Sequence, residues 1–356
     1  MKEPYLWQDA DFPHFYCNEA VVEPLEAAFK ENMKLLTKAL SRKNTDLADV
    51  LTEEILANSE IEGVLLDRES VSSSFMNNLS ALKEPEQGAV ALTRTALHSF
   101  QEALSHERLL AMHRELMNGS DFPAESVGAY VGDMKIVRGH RLDREYEVVH
   151  EGAGKDEVHD KMSEFIECYN NASTRSPLVN AVRGHIHFET IHPFCDGNGR
   201  IGRSLILMGL CRDFGQETPL ALSRSFRSHL KIYYNQFQTG LDLTEEIKVM
   251  APVFNHAIAE TMRILELTEF RTRVAASVHL HPRQRKVLHR LVDYELRDGF
   301  KGGMSNANYK KIAKVESRTA LRDLNELLEM GFLAKTGKLK GTRYQLHTSD
   351  ADSHAE

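Results

Sequence analysis

Residues 192–203 constrain this chain more than any other stretch, because they place a base, an acid, a glycine-rich turn and two guanidinium groups side by side. The segment reads HPFCDGNGRIGR. Gly197 and Gly199 let the backbone turn its N–H groups toward a common point, and the periodic apolar residues that follow predict a helix starting there. A glycine-rich turn at a helix N-terminus binds anions through unpaired N–H groups and the helix dipole. The sequence therefore predicts a phosphate-binding loop.

The charged residues of this segment indicate which phosphate compound is bound. Arg200 and Arg203 are three residues apart, so both guanidinium groups can face one side of the first helical turn and bind a polyphosphate. A triphosphate normally arrives with Mg²⁺, which prefers oxygen ligands, and Asp196 is the carboxylate of the loop. His192 has a side chain suited to taking a proton from an attacking hydroxyl near neutral pH. Together these residues predict a transferase.

The segment resembles the Fic family motif, HxFx(D/E)GNGRxxR, at every specified position. The resemblance implies a mainly α fold, a Fic-type helical bundle with a small β-hairpin flap, and transfer of AMP from ATP to a Ser, Thr or Tyr hydroxyl of a target protein. It implies His192 as general base, Phe194 as a core anchor and Asp196 as the Mg²⁺ ligand. It also implies that five residues bind the phosphates of the nucleotide: Gly197, Asn198, Gly199, Arg200 and Arg203.

A second resemblance concerns the helix predicted over about 46–63. Many Fic proteins carry an inhibitory helix with the pattern (S/T)xxxE(G/N), and Asn58 to Gly63 is similar to it. Glu62 and Gly63 match the pattern, whereas Asn58 stands where the pattern has Ser or Thr. The resemblance implies that Glu62 pairs with Arg203 and competes with the terminal phosphate of the nucleotide. We expect Glu62 to be an intramolecular inhibitor, and the same glutamate could instead position water for removal of AMP.

Two further site predictions lie outside the loop. Residues Tyr130 to Val149 are Gly-containing and partly alternating, which favours a hairpin or flap over an ordinary surface loop. In the Fic family such a hairpin aligns a target backbone by strand addition, and here that edge is Met134, Lys135, Ile136 and Val137. Tyr233 and Tyr234 resemble an aromatic pair near the nucleotide base, with core packing as the alternative.

The remaining pattern predicts a modular helical chain. Leu25, Phe29, Met33, Leu36 and Leu40 follow helical spacing, and further helices are predicted over about 90–117, over 155–170 and from Ser176 onward. We predict four parts: an N-terminal helical region at 1–95, a catalytic core at 96–275, a winged-helix domain at 281–347 and a flexible tail at 348–356.

The C-terminal module is basic, although the whole chain has a net charge of −8. Residues 281–345 contain 15 Lys or Arg against 7 Asp or Glu. Three predicted helices followed by two strands look like a winged helix, with Leu321, Leu324 and Leu328 toward its core. Arg318, Arg322, Asn325, Lys338 and Lys340 would then face outward. This surface predicts contact with DNA or, alternatively, with an acidic protein.

Composition indicates the cellular compartment in which we expect the protein. The chain is 42% hydrophobic and 27% charged, which is typical of a globular protein. The beginning lacks the features of an export signal, apolar runs are far shorter than the roughly 20 residues of a membrane span, and four scattered cysteines indicate no disulfide framework. We expect a cytoplasmic protein without membrane contact. A homodimer stays open, as does modification of the chain by itself.

Three functions from different classes remain open at this point. The first is an AMP transferase inhibited by Glu62. The second is a bifunctional or AMP-removing enzyme that uses Glu62. The third is a winged-helix DNA-binding regulator that senses nucleotide, in which His192 has no chemical role.

Overall fold

A computed structural model describes residues 5–42, 45–76, 84–138, 147–173, 175–235, 240–297 and 302–348. The fold is mainly helical, as predicted. The helices are α1 (Glu19–Leu40), α2 (Ala48–Ile61), α3 (Arg68–Met76), α4 (Glu84–His98), α5 (His106–Leu116), α6 (Val158–Asn170), α7 (Pro177–Ile191), α8 (Asn198–Phe214), α9 (Leu222–Ser228), α10 (Leu230–Asn235), α11 (Thr244–Ala276), α12 (Pro282–Arg297), α13 (Asn306–Ala313) and α14 (Ser317–Glu329). The strands are β1 (Lys135–Arg138), β2 (Glu147–Glu151), β3 (Leu333–Thr336) and β4 (Arg343–Leu346).

The chain divides into two compact units. The first consists of Met1–Arg42 with Val50–Thr261, and the second of Lys43–Asp49 with Met262–Glu356. The boundaries predicted from the sequence, at 95, 96–275 and 281–347, stay a prediction. The predicted tail lies outside the described residues from position 349 onward. Among the described residues, no helix is both long and apolar enough to cross a membrane.

Helix α1 buries the face that its spacing predicts. Phe29, Met33 and Leu36 have no exposed surface, and the side chain of Asn18 caps the helix by accepting a hydrogen bond from Ala20 N at 3.1 Å. Glu26 is also buried on this helix. Its carboxylate accepts hydrogen bonds from Leu178 N at 3.4 Å and Val179 N at 3.2 Å, so α1 caps the start of α7.

Helix α2 starts and stops where the sequence predicts. Asp46 accepts a hydrogen bond from Ala48 N at 2.9 Å at its beginning, and Gly63 follows its end with φ of 77°. Positive φ is strained for residues with a Cβ, so glycine is suited to this stop. The buried Ile55 packs in a cluster with residues of α3 and α4. Helix α2 is thereby held by its apolar face while its C-terminal end stays partly exposed.

The helix predicted over about 90–117 is two helices, α4 and α5. The break occurs because Ser105 takes an extended backbone conformation and its hydroxyl caps α5, accepting from Arg108 N at 3.2 Å. Helices α7 and α8 then follow each other around the loop 192–197 and pack together. Ser176 precedes α7 and Pro177 is its first residue, as predicted, but Ser176 makes no side-chain cap bond. Glu26 supplies that bond instead.

The predicted flap is an antiparallel pair of strands. Lys135 pairs with Glu151 and Ile136 with His150, and the register shifts by a bulge between Ile136 and Val137. The tip of the predicted flap, at 139–146, lies outside the described residues. The base of the hairpin is joined to the loop after α7 through Val131 N, which donates to Pro193 O at 2.8 Å.

The second unit ends in three helices and a hairpin, α12 to α14 with β3 and β4, in the order the sequence predicts. One predicted core residue is wrong, since Leu321 is 48% exposed. Leu324 and Leu327 are buried together with Ala320, so the apolar face of α14 is rotated from the predicted one. Arg318, Arg322, Asn325 and Lys338 are exposed, as predicted, and the side chain of Lys340 lies outside the described part.

Candidate active site

The loop 192–197 joins α7 to α8 and sets the direction of its side chains by two left-handed residues. His192 has φ of 49° and Gly197 has φ of 78°. A left-handed histidine is unusual because of its Cβ, and it marks a constrained position. Gly197 stands at the N-cap of α8, and the first N–H groups of a helix have no partner within it. This is the anion-binding geometry that the sequence predicts.

Asn198 closes the loop on itself. Its Oδ1 accepts from Phe194 N at 2.9 Å, and its Nδ2 donates to Phe194 O at 2.8 Å. Phe194 is fully buried, and its ring stacks on His113 with centroids 4.1 Å apart. The side chain of Asn198 is therefore used for the shape of the loop, and only its backbone can serve the predicted phosphate site. Phe194 is the anchor that the motif predicts.

His113, on α5, fixes the backbone at Asp196. Its Nδ1 accepts from Gly128 N at 2.8 Å, so Nε2 carries the proton and donates to Asp196 O at 3.1 Å. Burial lowers the pKa of His113 to about 4, which keeps the ring neutral and suited to these two roles. The sequence analysis missed this residue, since nothing at position 113 distinguishes it from other helical histidines.

The carboxylate of Asp196 lies at the edge of the loop. Its Oδ2 accepts from Arg200 Nη2 at 2.9 Å, and the Asp196 side chain is 43% exposed whereas that of Arg200 is 9% exposed. No group of three metal-ligating side chains occurs among the described residues. A half-exposed carboxylate beside a predicted phosphate-binding loop suits Mg²⁺, which keeps waters and is bound largely by substrate phosphates. Asp196 therefore fits the predicted metal.

Arg203 is fully buried and enclosed by four oxygens. Its Nε donates to Asn58 Oδ1 at 2.7 Å, its Nη1 to Tyr233 Oη at 2.8 Å, and its Nη2 to both Asn58 O at 2.9 Å and Glu62 Oε1 at 2.7 Å. Burial opposes its charge, but Tyr233 and Glu62 outweigh this and hold the pKa of Arg203 above its ordinary value. The predicted pairing of Glu62 with Arg203 is thus present.

Asn58, in the last turn of α2, and Glu62, directly after the helix, both bind Arg203. Glu62 also approaches the loop closely, because a Cβ placed on Gly199 would lie 2.2 Å from Glu62 Oε1. Only glycine at position 199 leaves room for this carboxylate over the start of α8. The side chain of Glu62 is 30% exposed, so its charge borders the cleft.

The predicted tyrosines have different surroundings. Tyr233 is 2% exposed, its ring packs against those of Phe226 and His185, and its hydroxyl accepts from Arg203. Tyr234 is 44% exposed, and its hydroxyl donates to Ile61 O at 3.3 Å. Tyr233 therefore supports an arginine of the motif, and Tyr234 contacts the end of α2. Both border the cleft, and their predicted role beside the nucleotide base stays a prediction.

Glu189 is a residue that the sequence analysis missed. It lies on α7, three residues before His192, and is 2% exposed. Its Oε2 lies 3.4 Å from His192 Nδ1. Burial raises the pKa of Glu189, but His192, His185 and Arg203 outweigh it and hold the pKa below its ordinary value. A carboxylate three residues before the motif histidine, on the same predicted helix, was the available signal.

These elements surround one open cleft of roughly 1810 Å³, a volume that includes the solvent at its mouth. It brings together the ends of α2, α7 and α10, the start of α8 and one side of the flap. Its walls are Glu62, Phe122, Asp133, Met134, Lys135, Ile136, Glu189, His192, Cys195, Asp196, Gly197, Asn198, Gly199, Tyr233 and Tyr234. The side chain of Val137, the fourth predicted flap residue, is not described.

Comparison with known proteins agrees with this geometry. Residues 103–210 match the model of the Fic/DOC family. The chain carries a Fic/DOC domain. Residues 5–81, which include α2, match a second family model that is described as a domain of unknown function, DUF4172. The Fic/DOC domain spans α5 to α8 and thus contains the whole loop 192–203.

Among curated proteins, the Fic/DOC-containing chain is 25% identical over 167 residues to "Probable protein adenylyltransferase aq_aa38" of Aquifex aeolicus. The aligned stretch covers 45% of this chain and 48% of that protein, so it spans about half the length of the relative.

Among solved structures, a Fic family protein from Desulfovibrio desulfuricans G20 is similar in fold, with a TM-score of 0.57 and 20% identity. The match covers 94% of this chain and 98% of that one. Fic-1 (residues 134–508) from C. elegans matches with a TM-score of 0.49 and 17% identity, over 69% and 71% of the two chains.

Proposed function

We propose that this protein transfers AMP from ATP to a Ser, Thr or Tyr hydroxyl of a target protein, and that Glu62 inhibits the transfer. The proposal is carried by one observation. His192, the N-terminus of α8 and Glu62 border the same cleft, and Glu62 binds Arg203, the second motif arginine. A candidate base, a helix end suited to phosphate and a carboxylate that can move are thereby within one site.

In this proposal His192 removes the proton of the incoming hydroxyl as its oxygen attacks the α-phosphorus of ATP. The bond between the α-phosphorus and the bridging oxygen of pyrophosphate breaks, pyrophosphate leaves with the electron pair, and the proton on His192 returns to solvent or to the leaving group. The N–H groups at the start of α8, with Arg200 and Arg203, bind the phosphates and the charge that develops on them. Mg²⁺ held by Asp196 would neutralise phosphate charge.

Glu62 inhibits by occupying Arg203. A γ-phosphate needs the guanidinium that Glu62 holds at 2.7 Å, and it would also be repelled by the carboxylate itself. Since Asn58 binds Nε and one N–H of Nη2, and Tyr233 binds Nη1, displacing Glu62 frees the second N–H of Nη2 without losing the orientation of the group. The name of the Aquifex aeolicus relative supports adenylyl transfer as the reaction.

The test is incorporation of label from ATP labelled at the α-phosphate, with and without EDTA. We compare the wild type, His192→Ala, Glu62→Gly and Glu60→Gly. Glu62→Gly is expected to raise incorporation, into a target from a lysate or into the chain itself, by at least about tenfold. EDTA and a second substitution, His192→Ala, are expected to abolish it.

Glu60→Gly is the matched control, because it makes the same change two residues earlier, at the end of α2, and leaves the Arg203 pair in place. Equal activation by Glu60→Gly would show that loosening α2 is sufficient and would remove the inhibitory role of the Glu62 carboxylate. No incorporation by any variant would contradict the transferase. If Glu62→Gly instead loses the ability to remove AMP from a modified protein, the AMP-removing function is favoured.

A further inference from the structure

Glu189 is a charged group at the centre of the first unit that no step of the proposed reaction uses. It lies on α7 with 2% of its surface exposed, and its Oε1 makes no hydrogen bond within the described part of the chain. Taking a carboxylate out of water is costly unless other groups compensate for its lost hydration. A neutral or apolar residue would be the simpler occupant of this position, so the charge calls for an explanation.

The neighbours of Glu189 come from every element packed against it. His185 and His192 lie on its own helix, Arg203 faces it from α8, and Tyr233 faces it from α10. His150, on β2, is the titratable group of the flap base that faces Glu189, and its Nε2 is 2.8 Å from Thr190 O. Arg203 is the fixed positive charge of this set, and it is shared with Glu62.

The packing around Glu189 is close on the side of α8. A Cβ on Gly202 would lie 2.5 Å from Glu189 Oε1 and 3.1 Å from His185 Nδ1. Glycine at this position of the motif therefore leaves the space in which the carboxylate sits. Burial and this contact leave Glu189 few alternative positions.

His192 presents two different nitrogens. Nδ1 is buried, makes no hydrogen bond within the described residues and lies 3.4 Å from Glu189 Oε2. The His192 side chain as a whole is 16% exposed and borders the cleft, so the face of the ring away from Nδ1 meets the solvent. The distance to Glu189 is slightly long for a hydrogen bond, as is common for catalytic pairs before substrate binds.

We propose that Glu189 is a positioning residue for His192, holding the proton on Nδ1 so that Nε2 faces the cleft with a free electron pair. The inference rests on the proposed function for its catalytic consequence. When Nε2 takes the hydroxyl proton, the imidazolium carries charge beside the Glu189 carboxylate, which stabilises it by charge and by the N–H···O bond from Nδ1. The proton ends on Nε2, and no covalent bond to Glu189 forms.

The first measurement needs no activity. In wild-type protein labelled with ¹⁵N-histidine, the His192 ring is assigned by comparison with His192→Ala, and its tautomer is read from the ring nitrogen shifts at neutral pH. The expected result is protonated Nδ1 and unprotonated Nε2. A predominant Nε2–H tautomer, which is the usual form in water, would overturn the proposal whatever reaction the enzyme catalyses.

The second measurement uses transfer kinetics in the Glu62→Gly background. Glu189→Gln keeps the size of the side chain and removes its charge, and we expect kcat to fall by about 10²-fold while KM for ATP changes less than about twofold. The matched control is Glu26→Gln, which removes another buried carboxylate that contacts α7 but lies at the opposite end of the helix. We expect its kcat to stay unchanged.

The outcomes separate the two proposals. An unchanged kcat for Glu189→Gln in an active background overturns the positioning role and leaves the transferase intact. Equal losses in Glu189→Gln and Glu26→Gln would assign both carboxylates to the stability of α7 and also overturn it. If the Glu62→Gly background shows no transfer at all, the proposed function fails, and the tautomer measurement still decides the role of Glu189.

Discussion

Glu62 and Arg203 are 141 residues apart in the sequence, and their side chains meet at 2.7 Å. The contact joins the residue that follows α2 to the second turn of α8. Arg203 has no exposed surface, whereas the Glu62 side chain is 30% exposed, so one partner is fixed and the other can move. In the proposed function, this asymmetry suits a contact that opens without disturbing the predicted phosphate site.

Replacing Asn58 by Ala should remove one of the hydrogen bonds that position Arg203 and so lower the stability of the fold. The change removes the acceptor 2.7 Å from Nε and leaves that buried nitrogen unpaired. We expect the free energy of unfolding to fall by about 1–3 kcal/mol, measured by urea denaturation. Asn58→Ser, which restores the residue type of the family pattern, should lose less. Equal stability of all three proteins would show that this bond contributes nothing to the fold.

Glu54 should make the stability of the chain depend on pH. It is fully buried, and burial raises its pKa to about 7 despite the hydrogen bonds it accepts from Ser223 N at 2.7 Å and Ser223 Oγ at 2.5 Å. Because the folded pKa lies above the ordinary 4.5, its contribution is fully present below pH 4.5 and is lost as pH rises through about 7. The protonated form is thus the one that favours the fold.

The test for Glu54 compares urea unfolding at pH 5 and pH 8. Relative to Glu54→Gln, the free energy of unfolding of the wild type should fall by at most about 3 kcal/mol from pH 5 to pH 8. Glu31→Gln, at an exposed position of α1, is the control and should follow the wild type. Parallel pH curves for wild type and Glu54→Gln would contradict the prediction.

Asp323 should be the most sensitive polar residue of the second unit. It has no exposed surface and accepts two hydrogen bonds from Arg283, at 2.6 and 2.8 Å, and one from Tyr309 at 3.0 Å. Asp323→Ala leaves Arg283 and Tyr309 without this acceptor, and we expect about 3 kcal/mol of lost stability in thermal or urea unfolding.

The control for Asp323 is the surface pair of Lys310 and Glu316, whose carboxylate is 87% exposed. Glu316→Ala should change stability by less than about 1 kcal/mol. If Glu316→Ala lost as much stability as Asp323→Ala, burial would not explain the importance of the Asp323 carboxylate.

Asp196→Asn should raise the Mg²⁺ concentration needed for transfer. The side chain keeps an oxygen and loses the charge that favours a divalent cation, and it also weakens the bond with Arg200. We expect the half-saturating Mg²⁺ concentration to rise about tenfold, measured by titrating Mg²⁺ in the Glu62→Gly background. An unchanged Mg²⁺ curve would remove Asp196 from the metal site.

Binding of DNA by the second unit should depend on salt and on α14. Arg318 and Arg322 are both exposed, and the segment 281–345 carries 15 Lys or Arg against 7 Asp or Glu. We expect gel shifts of a short duplex at 50 mM salt that weaken at 200 mM. Arg318→Ala or Arg322→Ala should each reduce the slope of log affinity against log salt concentration by about one unit. No shift at low salt would favour an acidic protein as the partner.

The turn of the loop 192–203 could be predicted because its backbone geometry is local. Turn glycines and a helix start determine that geometry whatever surrounds them, whereas the guanidinium group of Arg203 is positioned by residues of other elements. The pairing of Glu62 with Arg203 is a long-range contact, and it could be predicted only through resemblance to a family pattern. Asn58 departs from that pattern, and its two oxygens on Arg203 could not be foreseen from spacing.

Other features depend on packing that one sequence does not specify. In the sequence, Glu189 and His113 look like ordinary helical residues. Their roles depend on contacts with α8 and the loop 192–197, which only the folded structure shows. On α14, Leu324 belongs to two possible apolar faces, one with Leu321 and Leu328 and one with Ala320 and Leu327. The leucine spacing predicts the face with Leu321 and Leu328. The structure buries the face with Ala320 and Leu327, because α13 and β3 pack against that side of α14.

The amide of Asn198 joins both backbone groups of Phe194. A turn tied in this way has its shape before any ligand binds. If the loop binds phosphates as proposed, binding loses little backbone entropy, and more of the interaction with the phosphates remains as affinity. In the proposed function the Asn198–Phe194 ring thus makes the loop a rigid receptor, and the only movement required is that of the Glu62 side chain.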